Sequence, residues 1–81
     1  MMAHPLNRLL SRFANLKSEI RHGALRDAHF RALCEDYEAA AAALEFWTNS
    51  ADRRRSERQR EYLELIARLE DEIVARCRNK Q

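Results

Sequence analysis

"DYEAAAAALEFWTNSADRRRSERQ", residues Asp36–Gln59, decides how this chain folds. Five alanines run in a row, a Phe–Trp pair follows, and a short polar break leads into three consecutive arginines. Ala, Leu and Glu are strong helix formers. The break, "TNSAD" from Thr48 to Asp52, holds Asn49, Ser50 and Asp52. All three are residue types whose side chains accept from the orphan N–H groups that open a helix. The stretch reads as the end of one helix, a turn, and the start of the next.

Upstream of the break, Phe30, Leu33, Tyr37, Ala40, Leu44 and Trp47 recur at spacings of 3, 4, 3, 4 and 3. That is an unbroken heptad seam. Downstream, Tyr62, Ile66, Leu69 and Ile73 recur at 4, 3 and 4. Two such stripes joined by a short connection make an antiparallel helical hairpin. Two registers satisfy the pattern. A tight turn at Asn49 pairs Phe30 with Leu69, Leu33 with Ile66 and Tyr37 with Tyr62. A loop over 49–55 pairs Leu33 with Ile73, Tyr37 with Leu69, Ala40 with Ile66 and Leu44 with Tyr62, with Ser56 and Gln59 as a capping box. The second buries more; the first has the commoner connection length. The tight turn is the expectation carried forward.

Nearer the start, Leu6, Leu9, Phe13, Leu16 and Ile20 line one face of a further helix. Pro5 suits its first turn, and "RHG" at Arg21–Gly23 suits its end, with Gly23 in the left-handed cap position. This stripe is out of heptad phase with the next, which predicts a kink near Gly23 or one bent helix. The expected fold is all-α: one small domain over 1–81 with helices at about 5–22, 24–48 and 52–78.

Composition agrees. The 81 residues contain one Gly and one Pro, too few for the turns of a β fold. Apolar residues make up 46%, but thirteen of them are alanine, which buries little area. A core so poor in large side chains is marginal alone, so self-association as a dimer or higher homo-oligomer is expected, with a further protein partner possible. Net charge is +2 with both signs abundant, which describes a solvated surface. No apolar run approaches the roughly 20 residues of a membrane span, and the opening "MMAHPLNRLLSRF" lacks a secretory apolar region. Two cysteines without a framework spacing suit a reducing compartment, and a cytoplasmic location is expected.

Candidate sites follow from what the seams leave over. With a tight turn, Leu44 and Trp47 lack apolar partners and Phe46 lies off the seam, so the hairpin tip carries an apolar patch. The second candidate contact is the face of Leu6, Leu9, Phe13 and Leu16, balanced against packing of that face on the hairpin itself. The alanine run permits close helix–helix approach. Arg53, Arg54 and Arg55 could take an anionic partner, but Glu35, Asp36, Glu38 and Glu45 on the neighbouring helix are expected to pair most of these cations. Arg8, Arg12, Lys17 and Arg21 make the first helix basic. Nucleic acid and a membrane surface are the disfavoured partners.

Other chemistry is absent from the pattern. His4, His22 and His29 form no ligand set, and no cluster has metal-site spacing. There is no phosphate loop and no nucleophile beside a base. Glu57, Glu61, Glu64 and the run Glu70–Glu72 are spaced like a solvated helix flank. Cys34 and Cys77 fall at different levels of either hairpin, beyond the ~7 Å between Cα atoms that a disulfide allows. No enzyme activity and no cofactor are expected.

"HFRALCEDYEAAAAALEFW" and "EYLELIARLEDEI", within His29–Ile73, resemble the YdcH-like family of small bacterial proteins of unknown function. Leu25, His29, Phe30, Leu33 and Tyr37 match the opening of that pattern, and Leu69, Glu70, Asp71, Glu72 and Ile73 its close. The chain departs at Glu70, where the family usually has Lys, in the alanine run and at Trp47. The resemblance implies an antiparallel helical hairpin, often oligomeric, and no known activity. The functional expectation is therefore a small helical protein acting through self-association and protein–protein contact. The alternative is an adaptor for an anionic partner.

Overall fold

A computed structural model of the chain describes residues 6–78. Every regular element among them is helical: α1 (Asn7–Arg12), a 3-10 turn (Ala14–Leu16), α2 (Lys17–Arg26), α3 (Ala28–Thr48) and α4 (Arg55–Arg78). α3 and α4 pack antiparallel as the expected hairpin, and α1 and α2 lie against it. Pro5 and His4 fall outside the described residues.

The chain turns at Asp27 and not at Gly23. Asp27 is extended, with φ −130° and ψ 110°, and its carboxylate accepts from the N–H groups of His29 and Phe30. It thereby caps α3 while its own N–H donates to Gly23 O and closes α2. Arg31 reaches back to donate to Ala24 O, serving another carbonyl of that last turn. Gly23 sits inside α2 without a positive φ. Its role is steric: a Cβ there would lie 2.9 Å from the Phe30 ring. A one-residue corner forces α2 close onto the start of α3, and only glycine gives the buried ring that room.

The first stripe also breaks. Phe13, at φ −120° and ψ 59°, ends α1, and the 3-10 turn redirects the chain into α2. No Gly or Pro causes this. A six-residue helix has no stability of its own, so tertiary contacts decide its direction. Leu6, Leu9 and Leu10 are buried, and Arg12 reaches across to α4.

The hairpin register is the longer-loop one. Tyr37 lies level with Glu70, and Thr48 with Gln59, as their hydrogen bonds require. The tight turn at Asn49 is therefore corrected. Each further Leu or Ile buried contributes about 1.5–3 kcal/mol, whereas doubling a loop costs only about 0.6 kcal/mol. The loop is also well satisfied. Asn49 donates twice to Glu45 O, Asp52 donates from its N–H to Ser50 Oγ, and Arg54 N–H donates to Asp52 Oδ1. The Ser56–Gln59 capping box does not form, because α4 starts at Arg55 and the Gln59 amide donates to Thr48 Oγ1.

The core lies in the half of the hairpin away from the loop. Leu9, Ile20, Cys34 and Ile73, one from each helix, are the largest fully buried side chains, and Phe30, Leu33 and Tyr37 surround them. The tip beyond Ala40 and Ile66 projects past this core.

Gly23→Ala tests the corner. The new methyl should raise helix propensity by about 1 kcal/mol, yet overpacking against Phe30 costs about 1–3 kcal/mol. A lower melting temperature is expected in thermal unfolding followed by circular dichroism. A higher one would show that the ring yields freely.

Candidate functional site

Charge pairing runs from α1 to the hairpin. Arg8 pairs with Glu38 and Glu45 of α3 at 3.5 and 3.0 Å. Arg12 forks onto Glu70 of α4 at 3.1 and 3.4 Å, while the Tyr37 hydroxyl donates to the same carboxylate at 3.0 Å. Glu38 also accepts from the Leu9 N–H at 2.7 Å. Leu6, at the head of α1, has no side chain that can cap, so an acid from α3 supplies the acceptor. The acids of α3 were expected to meet the arginines of α4; Glu38 and Glu45 meet Arg8 of α1 instead.

That docking corrects one candidate contact. Leu6 and Leu9 are core residues, and Phe13 and Leu16 pack against the same cluster. The face packs within the chain, with Leu6 and Leu9 buried and Phe13 and Leu16 half-buried. Arg12 additionally stacks over Phe13, 5.0 Å from the ring centre.

The arginine triplet points elsewhere. Arg54 pairs with Asp52 at 3.2 Å, and this hydrogen bond holds the Asp52 carboxyl below its usual range. Arg55 donates to Ser50 O, and Arg53 is exposed. Among the described residues none of the three forms an ion pair with a carboxylate of α3. Arg58, farther on, pairs with Glu61 of its own helix.

At the tip the three apolar candidates part company. Leu44 is half-buried in the seam. Trp47 is also half-buried, with the Arg54 guanidinium 5.7 Å from its ring. Phe46 meets Trp47 edge to face at 5.4 Å but remains 66% exposed on the outer side of α3.

The structure adds a surface that the stripes did not reveal. At 100° per residue, Glu38, Ala41 and Glu45 turn toward α1, while Asp36, Ala40, Ala43 and Trp47 turn to the opposite flank of the seam. On that flank Asp36, Ala39, Ala40, Tyr62, Leu65 and Leu69 line an open groove of about 280 Å³. The small alanines form one wall, and Tyr62, Leu65 and Leu69, all half-buried, form the other. Trp47 extends the strip toward the tip. The available signal was Leu65, an apolar residue adjacent to the Tyr62–Ile66–Leu69–Ile73 stripe that a two-helix seam does not need.

Reactive chemistry is muted. Cys34 is fully buried, and burial first, then the nearby Cys77, pushes its thiol up to about 12. Neither cysteine is in a disulfide. His22 is bonded to Arg26 of its own helix at 3.2 Å. Among the described residues no group of three or more His, Cys, Asp or Glu could hold a metal ion, and no helix is long and apolar enough to cross a membrane.

No family model, curated protein or solved structure matches the chain.

Burial, then the hydrogen bond to Glu70, raises Tyr37 from 10.0 to about 12. Tyr37 and Cys34 are thus both held protonated in the folded chain. Their stabilisation is complete below the unfolded values near 9 and 10 and is lost as pH rises toward 12. Melting temperature should fall across that window. Tyr37→Phe should cost about 1 kcal/mol at neutral pH and make the alkaline fall shallower, leaving the Cys34 share. An unchanged alkaline limb in the variant would remove Tyr37 from this account.

Proposed function

We propose that this protein works by protein–protein contact and that it self-associates through the groove between α3 and α4. The observation that carries the reading is one-sided coverage. α1 and α2 seal one flank of the hairpin, and the other flank leaves Tyr62, Leu65 and Leu69 half-buried beside a wall of alanines. A second helical surface laid along that groove would complete their burial, each full burial of such a side chain contributing about 1.5–3 kcal/mol. A small core gains most from such an addition. Trp47 lies at the tip end of the same strip, so the earlier tip candidate joins this surface, while Phe46 remains at its margin.

Catalysis and cofactors have no place in the reading. It includes a cytoplasmic location, for which the support is that neither cysteine is in a disulfide. It also keeps the resemblance to the YdcH-like proteins, for which the support is that α3 and α4 form the hairpin which that resemblance implies. The alternative, an adaptor for an anionic partner, rests on Arg53 and Arg55, for which no carboxylate partner is found among the described residues.

Light scattering coupled to size exclusion tests the proposal. The wild-type chain is expected to be a dimer or larger at low micromolar concentration. Leu65→Asp places a charge in the groove and should yield a helical monomer by circular dichroism, and Trp47→Ala should weaken association roughly tenfold, about 1.4 kcal/mol. A folded wild-type monomer at that concentration overturns the reading.

A further inference from the structure

We infer that the second occupant of the groove is another copy of this chain lying antiparallel, with Asp36 of each copy against the arginine tip of the other. The inference rests on the self-association reading and adds its geometry.

Charge along the open flank gives the direction. The α4 side of the groove carries Arg58 with Glu61 near the tip and Arg76 with Glu72 near the base, each pair neutralised within its own helix. What remains is opposite at the two ends. Asp36, exposed in the groove wall, has no cation paired with it among the described residues. At the tip end, Arg53, Arg54 and Arg55 have one carboxylate partner between them, Asp52 on Arg54. Of the residues that line the groove, the charged one is therefore acidic, Asp36, and the tip is basic; the exposed Arg68, level with Ala39, lies outside that lining on the outer side of α4.

A parallel pairing would set Asp36 against Asp36 and one arginine tip against the other. An antiparallel pairing sets each acid against the opposing tip. Like charges brought together across an interface are costly, so they select the antiparallel arrangement.

Spacing agrees with a two-fold axis there. Asp36 and Trp47 are eleven residues apart on α3, about 16 Å at 1.5 Å per residue. Halfway between them the register places Leu65 of α4. A two-fold axis through that level brings Leu65 onto its own copy and Asp36 onto the Trp47–Arg54 end. This is the self-complementary pattern of a closed dimer. Apolar contact sits at the centre, and a charged contact occurs twice at the rim. The arrangement also provides Arg53 and Arg55 with an anionic partner without invoking a second kind of molecule.

Charge reversal tests the arrangement by sedimentation at moderate salt. Asp36→Arg should raise the dimer dissociation constant at least tenfold, and so should the double change Arg53→Asp with Arg55→Asp. All these positions are exposed, and circular dichroism verifies that helicity is kept. Combining the three reversals in one chain restores opposite charges across the antiparallel contact and should return association to within about threefold of wild type. In a parallel dimer each reversal only exchanges one like-charge contact for another. Unchanged association in the separate variants, or no recovery in the combined one, therefore overturns the antiparallel arrangement. A monomeric wild-type chain would instead overturn the self-association reading beneath it.

Discussion

Glu70 ties three helices together, and the rest of the structure depends on where it sits. Its carboxylate accepts from Tyr37 of α3 and from the Arg12 guanidinium of α1, and it is only 18% exposed. A partly buried carboxylate is stabilising only when its acceptors are satisfied. Both donors arrive together only if Tyr37 is level with Glu70. The register of the hairpin and the docking of α1 are thus one condition. A shift to the tight turn would bring Tyr62 opposite Tyr37 and leave Glu70 without Tyr37.

The same condition divides the hairpin into a covered flank and an open one. With Glu70 turned toward α1, residues 66, 73 and 77 of α4 face the covered side, and Tyr62, Leu65 and Leu69 edge the other. α1 and α2 supply Leu9 and Ile20 to the core and leave the opposite groove untouched. The alanine run belongs to that geometry. Ala40 lets α3 and α4 close together at the seam, and Ala39 with its neighbours keeps the groove open where larger side chains would fill it.

Electrostatics follows the packing. Arg8 and Arg12 are drawn to the acids that the covered flank presents, and Glu38 also completes the backbone hydrogen bonding of a helix too short to stand alone. The exposed Arg8–Glu45 pair adds little by itself. The partly buried Glu38 and Glu70 are what fix the direction of α1. The arginine triplet lies where the loop enters α4 at the far tip, beyond reach of these acids, and among the described residues its one carboxylate partner is Asp52, on Arg54.

By itself the sequence determined the all-α fold, the two long helices and the place of the connection between them. Those features are local: apolar spacing, helix propensity and a polar break with capping residues act within a few turns of chain. It did not determine the register, the direction of α1 or the corner at Asp27. Each of those compares contacts between residues far apart. Tyr37 finding Glu70, Arg12 finding the same carboxylate and Gly23 admitting Phe30 leave no periodic trace in the chain. Asp27 could have been read as a cap, but Gly23 lay four residues earlier and offered the more familiar stop signal. The open groove was legible only as an extra leucine beside a stripe. Which flank is open depends on where α1 and α2 settle, and long-range packing and charge decide that.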